Sequence, residues 1–166
     1  MATILMIEDL PNKAIARQTS LEKAGHEVVA VVQERLSDFI DEAKNHLADR
    51  RFDFLLLDMN LHGDQWGGAS FYNWLCHSAF RNHWDHTIVT TMYWGGSKPR
   101  TYDPGTPDAF ILRIFAETAG IPQENILPAA HGQQGRSNHE SLVDRIAAIL
   151  TEPPPARCPS CGERRV

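Results

Sequence analysis

The chain has 166 residues, enough for one domain with a hydrophobic core and a small appendage, but too few for two ordinary domains. Its net charge is −5 and no basic run precedes the last few residues, which argues against nucleic-acid binding. No apolar run is long enough to span a membrane, and a strand-like run follows Met1 too closely for a signal peptide. These features, with only three cysteines, predict a cytoplasmic protein.

Five short runs of apolar or β-branched residues are predicted to be the strands of a sheet. They cover residues 3–7, 28–32, 54–57, 87–93 and 125–127. The first run is followed by Glu8 and Asp9, whereas the third is followed by Asp58 and then a Gly-rich loop. The fifth run is short and weak because Pro128 ends it.

Five stretches with apolar residues at helical spacing follow these runs. In the first, Ala14, Ile15, Leu21 and Ala24 are predicted to face the sheet, and Gly25 is predicted to form a left-handed turn after it. The others lie near residues 36–47, 71–79, 106–118 and 137–150. Strands that alternate with helices predict an α/β fold with a parallel, doubly wound sheet and right-handed crossovers.

Polar side chains are concentrated where the predicted central strands end. In doubly wound sheets the functional site lies beyond the carboxyl ends of these strands, where Glu8, Asp9, Asp58 and Thr91 all fall. Carboxylates gathered in one cavity are tolerated mainly when a hard cation neutralises them. The pattern therefore predicts a cation site, and the alternative is a set of solvated carboxylates at strand ends.

The same residues resemble the phosphoacceptor site of response-regulator receiver domains, the flavodoxin-like modules of bacterial two-component signalling. The similarity rests on Ile7-Glu8-Asp9, the segment 57–61 (Leu-Asp-Met-Asn-Leu), the segment 25–28 (Gly-His-Glu-Val) and Thr91. It implies a three-layer αβα sandwich with a five-stranded parallel sheet of order 2-1-3-4-5. The receiver-like domain would cover residues 1–151.

The resemblance also implies a role for each site residue. Asp58 would be the aspartate that accepts a phosphoryl group, and Thr91 would be the switch hydroxyl that contacts it. Glu8 and Asp9 would hold Mg²⁺ together with Asp58 and the backbone carbonyl of Asn60. Mg²⁺ prefers octahedral oxygen ligation and keeps several waters, so this small set of ligands suffices.

The chain departs from the receiver pattern near the site. Receivers normally end the fifth strand with Lys and Pro, but residues 126–131 read Ile-Leu-Pro-Ala-Ala-His. Met92 stands where receivers prefer a small side chain, and it would crowd access to Asp58. Ile126 stands at the aromatic switch position of the fifth strand and cannot make the usual rotamer exchange.

The missing positive charge has candidate substitutes elsewhere in the sequence. Lys98 lies in a long turn-forming loop, residues 94–106, and could reach back over Asp58. Arg100 and His131 are weaker candidates. The alternative is that Lys98 is simply solvated, as most loop lysines are.

The resemblance implies a single-domain response regulator, a phosphoprotein of phosphorelay signal transduction and not an enzyme. Its partners would be a sensor histidine kinase or phosphotransfer protein and an unknown downstream protein, with no nucleic acid or membrane, and a homodimer is left open. The missing Lys and Met92 favour the alternative, a pseudo-receiver that acts as a phosphorylation-independent adaptor. A Mg²⁺-dependent phosphotransferase or hydrolase is a weaker rival, because the chain has no P-loop and Asn60 replaces a second catalytic Asp.

Residues 152–166 are predicted to be a Pro-rich linker and a flexible CxxC tail. Cys158 and Cys161 form half of a zinc-ribbon pattern, but structural Zn²⁺ takes four ligands and no second cysteine pair lies nearby in the sequence. Zinc shared across a dimer and a tail without metal are both open alternatives.

Overall fold

A computed structural model of the chain describes residues 1–61, 66–91, 112–128 and 138–152. Within them lies one sheet of five parallel strands. The strands are β1 (Thr3–Ile7), β2 (Glu27–Val31), β3 (Phe52–Asp58), β4 (Trp84–Thr91) and β5 (Ile126–Pro128). Their order across the sheet is β2-β1-β3-β4-β5, which confirms the predicted flavodoxin-like α/β fold.

Helices cover both faces of the sheet and connect the strands. They are α1 (Pro11–Lys23), α2 (Leu36–Asp49), α3 (Gly67–His77), α4 (Leu112–Thr118) and α5 (Asn138–Thr151). The α4 segment is wound as a π-helix, and residues 106–111 of the predicted fourth helix lie outside the described residues. In the described parts of the chain, no helix combines the length and apolarity needed to cross a membrane.

The side chains of the sheet alternate between two hydrophobic clusters, one on each face. On the face covered by α2, α3 and α4, here called the α2 face, Leu57 and Val89 pack with Phe39, Phe71 and Phe115. The opposite face, here called the α1 face, is covered by α1 and α5. The α1-face cluster includes Phe54, Leu56, Ile88, Ala14, Leu21 and Ile146.

The inner face of α1 differs from the prediction. Ala14 and Leu21 are buried as expected, but Ile15 is 63% exposed and Ala24 lies at the exposed end of the helix. The third inward position is Arg17, which is only 3% exposed. It lies three residues after Ala14 and four before Leu21, so all three share one side of the helix.

Most other element boundaries lie close to their predicted positions. The turn after α1 has Gly25 at φ 86°, which confirms the left-handed cap. β4 begins at Trp84 instead of Thr87, because Trp84 pairs with Phe52 at the start of β3. α3 begins at Gly67, inside the segment predicted to be loop.

Candidate functional site

Two buried carboxylates meet at neighbouring strand ends on the α1 face. Asp58 is the last residue of β3 and Glu8 directly follows β1, its neighbour in the sheet. Both side chains are fully buried. Backbone amides fix one oxygen of each: Asn60 N donates to Asp58 Oδ1 at 2.9 Å, and Leu10 N donates to Glu8 Oε1 at 3.1 Å.

Helix α1 brings two cations to this carboxylate pair. Arg17 Nη1 donates to Glu8 Oε2 and also lies 3.3 Å from Asp58 Oδ2. Lys13 Nζ lies 3.6 Å from the same Asp58 oxygen, and its side chain is 34% exposed. Lys13 and Arg17 are four residues apart, so they lie on the same side of α1 in successive turns.

Glu8 has a raised pKa because it is buried next to a second carboxylate. Burial, and next the neighbouring charge of Asp58, raise the pKa of Glu8 from its ordinary 4.5 to about 8. Arg17 opposes this rise because it favours the ionised form of Glu8. The site therefore holds a proton more readily than a solvated glutamate would.

The register of β3 and β4 brings Thr90 to the Asp58 side of the sheet. Asp58 pairs with Thr90, and residues in register on parallel strands point to the same face. Thr90 is buried, and among the described residues its Oγ1 has no hydrogen-bond partner. Thr91, the predicted switch residue, is also buried but is one position further along β4, where the alternation favours the α2 face.

Asp9, next to Glu8 in the sequence, borders a cleft at the surface. It lines an open cleft of about 620 Å³ together with Val32, Gln33, Arg35 and other residues of the β2–α2 connection. Within residues 1–61, 66–91, 112–128 and 138–152, no group of three or more His, Cys, Asp or Glu side chains is arranged to hold a metal ion.

The Mg²⁺ that the resemblance implies can be compared with these residues. The oxygens of Glu8 and Asp58 that a cation would bridge both contact Arg17. As arranged here, the carboxylate pair does not fit Mg²⁺, because Arg17 lies where the ion would need to bind. The metal roles of Glu8, Asp9, Asp58 and the Asn60 carbonyl stay predictions.

Helix α3 begins directly against the backbone that follows Asp58. Gly68 N donates to the Met59 carbonyl at 3.0 Å, and Met59 N donates to the Thr90 carbonyl at 2.8 Å. A Cβ atom on Gly68 would lie 2.4 Å from the Asp58 carbonyl oxygen and 2.7 Å from Met59 Cα. Only glycine allows this close approach.

Several predicted residues lie outside the described residues. They are Met92, Lys98, Arg100 and His131, the loop 94–106, and Cys158 and Cys161 of the tail.

Three residues of the site were missed in the sequence: Lys13, Arg17 and Thr90. A usable signal existed for the first two. A basic pair at positions i and i+4, on the helix that begins three residues after an acidic strand end, can reach back over that end. Thr90 could not be told from Thr91 before the register of β4 was known.

Comparison with known proteins gives a fold-level result. No protein-family model matches the sequence, and no curated protein is significantly similar to it. Among solved structures, the non-phosphorylated HemR receiver domain from Leptospira biflexa has a TM-score of 0.59 at 14% identity, over 94% of this chain and 99% of that one. Chemotaxis protein CheY4 of Vibrio cholerae has a TM-score of 0.58 at 16% identity, over 90% and 99%.

A third similar structure is a chain from the complex of histidine kinase ThkA with response regulator protein TrrA. Its TM-score is 0.54 at 14% identity, over 91% of this chain and all of that one. Identities this low establish the fold alone. Together with the strand order and the Asp58 strand end, they show that this chain has the fold of response-regulator receiver domains.

Proposed function

We propose that the chain is a receiver module of phosphorelay signal transduction in which Asp58 accepts a phosphoryl group. The observation that supports this most directly is the position of Asp58. It ends the central strand of a receiver fold, and two cations, Lys13 and Arg17, lie at its Oδ2 atom. A carboxylate nucleophile with positive charge beside it is what phosphoryl transfer requires of a protein acceptor.

The proposed step balances as a simple displacement. A carboxylate oxygen of Asp58 forms a bond to phosphorus, and the bond from phosphorus to the donor breaks. The donor is a phosphoimidazole or a small acyl phosphate, which leaves as imidazole or carboxylate. The product is an acyl phosphate on Asp58, with more negative charge than the carboxylate it replaces.

Lys13 is suited to neutralise that added charge. Its Nζ is 3.6 Å from Asp58 Oδ2, and its partly exposed side chain can follow a larger group outward. In this proposal Lys13, on α1, takes the role that receivers give to a lysine at the end of the fifth strand. Lys98 is not needed for it.

Thr90 is the proposed hydroxyl contact of the phosphoryl group. It pairs with Asp58 in the sheet and has a buried hydroxyl that makes no hydrogen bond within the described part of the chain. A phosphoryl oxygen would give this hydroxyl an acceptor, and an unpaired buried hydroxyl is otherwise unfavourable. The competing assignment is Thr91.

A protein kinase partner fits this proposal. The TrrA–ThkA structure is a complex of a response regulator protein with a histidine kinase, and this chain is similar to one of its chains. Two exposed apolar side chains lie near the site: Leu10 directly precedes α1, and Ile15 is in its second turn. We propose that a histidine kinase or phosphotransfer protein donates the phosphoryl group and that an unidentified downstream protein binds the chain in response. The proposed compartment is the cytoplasm.

The test is covalent labelling of the full chain with acetyl phosphate, followed by intact-mass measurement. One phosphoryl group per chain is expected, and Asp58→Asn should abolish it, whereas Asp41→Asn, a change at an exposed helix position, should not. Lys13→Met should slow labelling by about tenfold or more, because one cation beside the acceptor is lost. Unlabelled wild-type protein, or labelling that survives Asp58→Asn, would contradict the proposal.

The alternative is a phosphorylation-independent adaptor, and one observation favours it. Asp58 is fully buried, and both of its carboxylate oxygens already have partners: Asn60 N at Oδ1, and Lys13 and Arg17 at Oδ2. A phosphoryl donor can therefore reach the Asp58 carboxylate only after some of these contacts break. Beryllofluoride distinguishes the two functions: chemical-shift changes at Asp58 and Thr90 favour the acceptor, and an unchanged spectrum favours the adaptor.

A further inference from the structure

Arg17 contacts both carboxylates of the site through a single nitrogen atom. Its Nη1 donates to Glu8 Oε2 and lies 3.3 Å from Asp58 Oδ2. We propose that Arg17 is the resident cation of this site and takes the place of a divalent metal between Glu8 and Asp58. The inference concerns the same site as the proposed function. Cation binding is measured separately from phosphoryl acceptance, so either can fail without the other.

In each carboxylate one oxygen accepts a backbone amide and the other contacts a cation of α1. Glu8 Oε1 accepts the Leu10 amide and Asp58 Oδ1 accepts the Asn60 amide, so backbone hydrogen bonds fix the outer oxygens. The inner oxygens, Oε2 and Oδ2, are the pair that Arg17 bridges. A metal ion that took the position of Arg17 between the two acids would use these same two oxygens.

The fold also holds the guanidinium in place. Ala14 and Leu21 lie before and after Arg17 on the same side of α1, and both are buried in the α1-face cluster. Arg17 itself is almost completely buried. Withdrawing it would leave Glu8 without its ion-pair partner and Asp58 with Lys13 alone, and breaking a buried ion pair in this way costs several kcal/mol in proteins.

A guanidinium and Mg²⁺ satisfy such a pair in different ways. Arginine is always charged, is weakly hydrated and offers several N–H donors, so it can enter a dry site without water ligands. Mg²⁺ requires an octahedral shell at short distances and retains several waters. The buried space between Glu8 and Asp58 is therefore better suited to the cation that α1 already provides.

Lys13 offers a matched comparison on the same helix. It carries the same charge and contacts Asp58, but no contact with Glu8 is found among the described residues, and it is partly exposed. If the site needed only positive charge nearby, the two residues would be equivalent. The proposal instead requires that Arg17 alone blocks a metal ion.

The experiment is a titration of the full chain with Mn²⁺, read by electron paramagnetic resonance, and with Mg²⁺, read by calorimetry. Wild type should show no saturable binding that depends on Glu8. Arg17→Met, which keeps the stem but removes the charge, should gain one saturable Mn²⁺ site that is at least about tenfold tighter than any residual binding by wild type. Arg17→Lys, which keeps a positive charge, should return Mn²⁺ binding to the weak level of wild type. Adding Glu8→Gln to Arg17→Met should remove the gained site.

The Lys13→Met variant tests whether the gain is specific, and it should increase affinity far less than Arg17→Met does. Equal gains in the two variants would overturn the proposal, and so would wild-type binding of one Mn²⁺ that Glu8→Gln abolishes. Thermal unfolding keeps the test decisive if Arg17→Met folds poorly. Mg²⁺ should raise the Tm of Arg17→Met and leave that of wild type unchanged, and the reverse pattern would contradict the inference.

Discussion

The two faces of the sheet bury different kinds of side chain. The α2 face is packed with aromatic and aliphatic residues from α2, α3 and α4. The α1 face has an apolar cluster as well, but at its carboxyl edge it also contains Glu8, Asp58 and Arg17. Among the described residues, these three are the buried charged side chains. The difference is that the interior of one layer is apolar, whereas the interior of the other also contains a buried ion cluster.

The two layers should respond differently to conditions. Apolar packing depends little on pH or on added ions, whereas a buried ion cluster changes with protonation and with any competing cation. Substitutions on the α1 face should therefore couple to pH, to metal ions and to one another. Substitutions on the α2 face should not.

The largest expected effect is the loss of the Arg17 charge. Arg17→Met should lower the free energy of unfolding by about 3–5 kcal/mol, because two buried carboxylates lose their shared cation. Phe39→Ala on the α2 face should cost a similar amount, about 3–5 kcal/mol, through the cavity it leaves. Urea unfolding separates the two causes, because Glu8→Gln should partly rescue Arg17→Met and leave Phe39→Ala unchanged. If Arg17→Met is as stable as wild type, the buried ion cluster of the α1 face does not stabilise the fold.

The pH dependence of stability should depend on Glu8. Its folded-state pKa is about 8 against an ordinary 4.5, so between these values the folded chain holds a proton that the unfolded chain releases. The free energy of unfolding should therefore be highest near the lower value and fall as pH rises towards the upper one. Urea midpoints measured across this range should show the decline, and Glu8→Gln should flatten it. Stability that rises over the same range would contradict the assignment.

A smaller effect is expected where α3 meets the site. Gly68→Ala should cost about 1–3 kcal/mol, because its Cβ would collide with the Asp58 and Met59 backbone. Gly25→Ala is the matched control: its Cβ would meet nothing within 4 Å, so only the strain of its positive φ remains, about 1–2 kcal/mol. Amide chemical shifts of Asn60 and Thr90 should move in Gly68→Ala and stay in place in Gly25→Ala. Unchanged shifts in both variants would show that the contact does not govern the site.

The smallest expected effect is that of metal ions on labelling. If Arg17 is the resident cation, acetyl-phosphate labelling of Asp58 in wild type should proceed at rates within about twofold in Mg²⁺ and in chelator. The Arg17→Met variant should label faster in Mg²⁺ than in chelator. If the wild-type labelling rate falls steeply in chelator, labelling depends on a metal ion and Arg17 is not the resident cation.

The parallel sheet and the position of the carboxylates could be predicted from the sequence pattern and the strand order from the resemblance, whereas helical periodicity gave the wrong inner face for α1. Apolar runs that end in Glu8 and Asp58 were sufficient for the sheet, because buried parallel strands have few other patterns. Helical periodicity assigns apolar residues inward and charges outward, which gave Ile15 an inner position that Arg17 occupies. Contacts with Glu8 and with the more distant Asp58 reverse this assignment, and hydrophobic periodicity contains neither of them.

Thr91 was predicted to be the switch hydroxyl, and the sequence offered no way to weigh Thr90 against it. A shift of one residue in strand register moves every side chain to the opposite face, and two adjacent threonines give no clue to the register. Pairing of Asp58 with Thr90 supplies the register on which the Thr90 proposal rests, and that pairing follows from contacts along the whole length of β3 and β4.

The Gly68 contact packs the first turn of α3 directly against the backbone of Asp58. Since Gly68 rests on the backbone of Asp58 and Met59 with no side chain between them, the loop after β3 and the first turn of α3 form one mechanical unit. The helix that starts at this contact has 11 residues and extends roughly 16 Å. α3 thus provides a direct structural connection between the backbone of Asp58 and His77, on the exposed surface of the protein.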